Sequence, residues 1–252
     1  MRNISIDTVE DAPRDVLPVG TDYPDGFVLD WHRHRRAQFL YSATGVMVVE
    51  TAGGAWTVPP DRAVLIPSGV RHLMRTSDVS TRSLYIEPAA VPWWPDACTV
   101  AAVTPLLREL LLVAVDFDTD YDLAGRAGAV ATLLLHEIAA LAPLPFHIAL
   151  PTGADLHRLC RAYLARPDVG VSNAHWAAEL NCSERALTRR FRAATGISPA
   201  AWRRRARLLA ALPLLRAATV TEVAARLGYA TPAAFTAAFS AEFGLPPSHT
   251  RS

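Results

Sequence analysis

The sequence predicts a multidomain protein: an amino-terminal β-barrel or sandwich, a short helical segment, and an all-α carboxy-terminal domain built on tandem helix-turn-helix units. Three observations predict it. Residues 26–87 form a series of short β-type runs between turn signals. Residues 152–252 carry one helical pattern twice, and a leucine-rich stretch of helical periodicity lies between the two regions. The expected divisions are therefore 1–95, 96–145 and 152–252.

Charge follows the same division. Residues 152–252 hold 14 Arg against 6 Asp or Glu, residues 1–151 hold 11 Arg against 18, and lysine is absent. The basic carboxy-terminal domain points to a polyanion partner, which the acidic half should avoid. Cys98, Cys160 and Cys182 are scattered and odd in number, so reduced thiols are expected rather than a disulfide framework. No apolar run is long enough to span a bilayer, and Met1–Asp7 lacks an apolar signal region. A cytoplasmic protein with no membrane partner is expected.

Along the chain, residues 1–25 read as an irregular polar arm. Strand-like runs follow at Phe27–Leu29, Gln38–Tyr41, Val46–Glu50, Ala55–Val58, Ala63–Pro67 and Ser83–Glu87, with Ala43-Thr44-Gly45 as one of the turns between them. Thr104 and Pro105 then suit the N-cap and first position of a helix over Leu106–Val115. An acidic break covers Asp116–Asp122, and a second helix is expected over Gly125–Leu141. These two helices are read either as packing on the β-domain or as a dimerisation surface, since they are richer in leucine than one covered face requires. Pro143, Pro145 and Pro151 make a stiff linker.

In the β region His32 and His34 lie two apart on a strand and should project to one side, joined by Gln38 and, after later hairpins, by His72. Neutral imidazoles suit a divalent zinc, nickel, copper or iron ion, with Gln38 as a weak uncharged donor. A pocket for a small organic molecule, lined by Trp31, Phe39, Tyr41 and Trp56 together with these histidines, is the other reading. Arg33, Arg35 and Arg36 are expected to face solvent.

The repeat in the carboxy-terminal domain is explicit. Leu187, Phe191 and Gly196-Ile197-Ser198-Pro199 recur as Phe235, Phe239 and Gly244-Leu245-Pro246-Pro247, and the segments Trp176–Leu180 and Val223–Leu227 precede the two copies. Ser172 and Ser183 are placed as N-caps, and Asn181 suits the left-handed turn between the helices of the first unit. With Leu187 and Phe191 turned inward, Arg185, Thr188, Arg189 and Arg192 share the outer face. Arg185, Thr188 and Arg189 are assigned to base edges, and Arg190 and Arg192 to the DNA backbone. The connecting segment adds Arg203 and Arg204 as further backbone contacts, and Pro213 is expected to kink its helix. The second reading helix has no arginine and ends near Glu242, leaving Thr231 and Thr236 as its polar base contacts. The first unit should carry most of the affinity.

Gly26, His32, His34, Gln38 and Gly45 match the first cupin motif at every spacing, with Gln38 in place of the usual glutamate; Pro67, Gly69 and His72 form an incomplete second motif. The carboxy-terminal part resembles the DNA-binding domain of the AraC/XylS family. The text that carries it is Ala186–Arg192 with Thr195–Pro199, Val220–Ala224, Leu227-Gly228-Tyr229 and Phe235–Pro247. Together the resemblances imply a homodimeric regulator that binds double-stranded promoter DNA, senses a small-molecule or metal effector in the cupin domain, and acts on the transcription machinery. The rival reading is a metal-dependent cupin enzyme with an accessory helical domain. The basic reader and the loss of a carboxylate at Gln38 argue against it, and no catalytic residue is assigned.

Overall fold

The computed structural model describes residues 11–250; Met1–Asp7, read above for a signal segment, lies outside them. The chain separates into two compact units. One takes the described residues up to Val49 and Trp56–Pro145, the other Glu50–Ala55 and the described residues from Phe146 onward.

The first unit is an antiparallel sheet with two helices on one face. Its strands are β1 (Val16–Tyr23), β2 (Val28–His32), β3 (Ala37–Glu50), β4 (Gly54–Val58), β5 (Arg62–Ile66), β6 (His72–Ile86), β7 (Thr99–Ala102) and β8 (Pro143–Leu144). Neighbours run β1-β6-β3-β5-β7-β8, with β2 on β6 and β4 on β3. Two features differ from the sequence reading. Residues 16–23, assigned to an irregular arm, pair with β6 along their whole length, from Val16 opposite Ile86 to Tyr23 opposite Val79. Pro18 masks this strand in the sequence, and β1 tolerates it by lying at the end of the strand order, where a missing donor breaks no ladder. The expected turn at Ala43-Thr44-Gly45 is instead a bend within β3. Gly45 has φ 76° there, and a Cβ on it would fall 2.1 Å from the Asp78 carbonyl oxygen. Asp78 itself sits at φ 50°, so both long strands bend where they meet.

Helices α1 (Pro105–Ala114) and α2 (Arg126–Ala139) cover the sheet. Thr104 caps α1 by accepting from Leu107 N at 3.1 Å, with Pro105 at the first position as expected. Leu107, Leu111, Leu134 and Ile138 are buried against Phe39, Tyr41, Leu65 and Leu84 in one core cluster. These leucines therefore serve the core of their own unit, while Leu106 (50%) and Leu133 (39%) remain exposed.

The second unit is helical: after a short strand β9 (His147–Ala149) come α3 (Ala154–Ala165), α4 (Asn173–Glu179), α5 (Glu184–Thr195), α6 (Pro199–Ala217), α7 (Val220–Arg226) and α8 (Pro232–Phe243). Tyr163, Trp176, Phe191 and Trp202 form an aromatic cluster beneath the first helix pair, with centroids 5.7–6.1 Å apart. Trp202 satisfies its indole by donating to Ala149 O at 2.7 Å. Phe235, Phe239 and Phe243 do the same work beneath the second pair. Pro213 lies inside α6, which continues past it to Ala217. Proline removes one hydrogen bond to Leu209, but Leu212 and Leu215 on either side are fully buried and hold the helix against the core.

Candidate functional site

In α5 the cap, the turn and the core contacts fix which face is free. Ser183 accepts from Ala186 N at 3.2 Å, Asn181 adopts φ 49° in the turn, and Gly196 ends the helix at φ 79°. Leu187 and Phe191 are fully buried. The opposite face then presents Arg185, Thr188, Arg189 and Arg192, which line one groove with Asn173 and Glu184. Sequence reasoning had missed Asn173 and Glu184. Their signal was position: one directly follows the Ser172 cap of the supporting helix, the other opens the reading helix. A carboxylate at that position is able to accept from a cytosine amino group and would repel phosphate.

The arginines assigned to the DNA backbone divide into three groups. Arg192 is exposed on the groove. Arg190 is also exposed but paired with Asp155 of α3, and that hydrogen bond holds the Asp155 carboxyl below its ordinary range. Arg204 is exposed, 3.7 Å from Glu242. Arg203 is a correction: it is 5% exposed, stacks 4.7 Å over the Trp176 ring and donates to Asn173 Oδ1 at 2.8 Å. Its position on α6 turns it into the core, so it presents no guanidinium to phosphate. On α8, Thr231 caps the helix by accepting from Ala234 N at 3.1 Å, and Thr236 is half-buried. Glu242 is bound by Arg205 and is structural.

In the sheet unit β2 and β6 bring His32 directly opposite His72. His32, His34 and His72 offer three ring nitrogens within 4.8 Å of one another. Each Nδ1 lies beside a backbone carbonyl: Asp30 O at 2.7 Å, Arg36 O at 2.8 Å and Val70 O at 2.9 Å. A carbonyl only accepts, so Nδ1 carries the proton and a neutral ring keeps its Nε2 lone pair for a ligand. Burial holds the His72 imidazolium down to about 4, the Val70 carbonyl opposing this and His32 and His34 adding to it. His72 is therefore a neutral donor at neutral pH. The Gln38 amide sits 3.1 Å from His34 Nε2 and also reaches Ser83 at 3.3 Å and Tyr85 at 3.1 Å. The amide oxygen faces His34 Nε2, and the amide NH2 donates to Ser83 Oγ and to the Tyr85 hydroxyl, so Gln38 Oε1 and the His34 lone pair converge on the same side.

A family model for an AraC-like ligand binding domain matches residues 18–142, and a helix-turn-helix domain model matches residues 176–252. The chain belongs to the AraC family of transcription regulators. It is 29% identical over 218 residues to the HTH-type transcriptional regulator NimR of Escherichia coli (strain K12), covering 86% of this chain and 80% of that protein. Among solved structures it is similar to the carboxy-terminal domain of AraT from Geobacillus stearothermophilus, at 25% identity over 39% of this chain and 84% of that one, with a TM-score of 0.36. It is also similar to ToxT from Vibrio cholerae, at 9% identity over 93% of this chain and 96% of that one, with a TM-score of 0.38.

Within this AraC-family ligand-binding domain, the expected lining by Phe39 and Tyr41 is corrected. Phe39 and Tyr41 are fully buried in the core beneath α1 and α2. Alternation explains it: Gln38 and Phe39 are neighbours on β3, so the aromatic side chains leave on the face opposite the histidine cluster. Tyr41 donates to Asp61 Oδ1 at 3.0 Å, and burial with that carboxylate pushes its hydroxyl up to about 12. Trp31 likewise alternates with His32 and stacks 5.6 Å from the Arg71 guanidinium. Trp56 is buried on β4. Ser83 and Tyr85 are the polar neighbours of the cluster that the sequence reading missed; their signal was that alternation on β6 puts them on one face. Arg36, expected in solvent, is fully buried and pairs with Glu87 at 2.7 Å. It also donates to Ala12 O at 2.9 Å and Arg14 O at 2.8 Å, tying down the start of the described chain.

Among the described residues no helix is long and apolar enough to cross a membrane.

Proposed function

We propose that this AraC-family regulator reads promoter DNA chiefly through α5, and that a divalent transition-metal ion held by His32, His34 and His72 acts as its effector or anchors one. The observation that supports the first part is the groove on α5: three arginines and a threonine on one exposed face, above a buried core that fixes their direction. Arg185, Thr188 and Arg189 read base edges, while Arg190, Arg192 and Arg204 meet phosphates. The converging imidazoles, with tautomers set by backbone carbonyls, support the second part. When bound, such an ion supplies a positive charge and open coordination positions for a small polar ligand. Gln38 brings an amide where a carboxylate would add negative charge, which favours sensing over turnover.

The regulator acts as a homodimer in this reading, with Leu106 and Leu133 as the apolar residues left on α1 and α2. Effector binding shifts the population of DNA-competent dimers by its differential affinity for two arrangements. Elemental analysis of protein purified without a histidine tag tests the metal: one ion per chain is expected, lost in His32→Ala. Substoichiometric metal in the wild type would sink this part. Fluorescence anisotropy on promoter fragments tests the reader, with Arg189→Ala expected to lose sequence preference.

A further inference from the structure

The groove on α5 has one wall that does not belong to α5. Asn173, the first residue of α4, lines it beside Arg185, Thr188, Arg189 and Arg192. Beneath Asn173 lies Arg203, 5% exposed, with its guanidinium 4.7 Å over the Trp176 ring. Arg203 Nη1 is buried without a hydrogen-bond partner, and no carboxylate pairs with Arg203 among the described residues. A guanidinium is an expensive group to bury in this state. Among the described residues its hydrogen bond runs from Nη2 to Asn173 Oδ1 at 2.8 Å.

That bond decides how Asn173 is turned. Arginine only donates, so the Asn173 atom facing it must be the amide oxygen. The NH2 group is what remains to face the groove. Asparagine reads adenine by using oxygen and nitrogen together, and here the oxygen is already committed. A lone donor on a supporting helix, between arginines, is matched to an acceptor that needs no second contact. In helix-turn-helix docking the supporting helix crosses the sugar-phosphate backbone.

We infer that Asn173 is a DNA-phosphate contact of the first helix-turn-helix unit and that Arg203 is its positioning residue, holding the amide with NH2 toward the DNA from below. This rests on the proposed reading of DNA through α5. It replaces the expectation that Arg203 touches phosphate itself. It also gives the buried charge a role: Arg203 fixes a neutral donor and adds positive potential behind it.

The test is anisotropy on one promoter fragment with the full chain, over a salt series, and on the same fragment with single base-pair changes. Asn173→Ala should weaken binding about tenfold, the loss of one hydrogen bond to a charged acceptor. It should leave the salt slope unchanged, because a neutral amide displaces no counterion, and leave base-pair preference intact. Asn173→Asp keeps the acceptor for Arg203 but turns a carboxylate toward phosphate. It should bind more weakly than Asn173→Ala, with a salt slope smaller by about 1. Arg203→Leu should cost about as much as Asn173→Ala in the native background and nothing further in the Asn173→Ala background. Binding of Asn173→Ala within about twofold of the native protein, an altered base-pair preference, or additive losses in the double variant would each overturn the inference. If Arg203→Leu fails to fold, the two Asn173 variants decide alone. Arg189→Ala, run alongside, separates the two readings. If it keeps sequence preference, the assignment of α5 fails. If it loses preference while Asn173→Asp binds as the native protein does, α5 stands and Asn173 falls.

Discussion

The two helix-turn-helix units share a skeleton and differ in surface. Ser183 and Thr231 cap reading helices of 12 residues each, and both helices end on a left-handed glycine, Gly196 and Gly244. The turns before them use Asn181 at φ 49° and Gly228 at φ 76°. Leu187 and Phe191 in one, Phe235 and Phe239 in the other, are fully buried. Outside, α5 displays Arg185, Arg189 and Arg192, whereas α8 displays Ala233 and Ala237 and turns Glu242 toward Arg205. Folding information sits in caps, turns and every fourth residue; reading information sits on the other face and can be lost without disturbing the first.

The largest expected effect tests the shared skeleton. Phe191→Ala and Phe239→Ala should each cost about 3–5 kcal/mol of unfolding free energy, read from denaturant melts. A loss under about 1 kcal/mol for either would break the equivalence of the two cores. Next comes the difference in surface. Arg189→Ala should cost about 1–3 kcal/mol of binding at its preferred base pair and flatten sequence preference, while Thr236→Ala should cost less. Equal losses would make α8 a full reader. A gain-of-function variant sharpens the same contrast: Ala237→Arg should tighten binding and steepen the salt slope by about 1 if α8 faces the DNA backbone. An unchanged slope would place α8 off the DNA. The smallest effect concerns Arg190. Asp155→Asn releases it from its exposed ion pair and should tighten DNA binding slightly, with weaker binding contradicting its phosphate role.

What the sequence made legible were the features encoded locally. The caps Thr104, Ser172 and Ser183, the left-handed Asn181, and the repeated Leu187/Phe191 and Phe235/Phe239 pairs are where the spacing places them. The histidines converge because their strand positions are short-range facts, and the register of β2 on β6 completes the set. What stayed hidden depends on partners far along the chain. Pro18 reads as a breaker until β1 is known to lie at the sheet's end. Gly45 reads as a turn until Asp78 is known to approach it. Arg36 reads as solvated and Arg203 as a phosphate contact because nothing nearby announces Glu87 or Asn173. The aromatic lining is a different case, since the alternation that places His32 with His34 already sends Phe39 and Tyr41 the other way from Gln38.

Helix α6 continues through Pro213 for 19 residues, roughly 28 Å along its axis. A continuous helix transmits torsion. Each residue inserted into it would turn the second unit about 100° around the axis relative to the first and push it about 1.5 Å away. Where both units meet DNA, bases inserted between their two segments should therefore be tolerated poorly, even if the second unit reads no base at all.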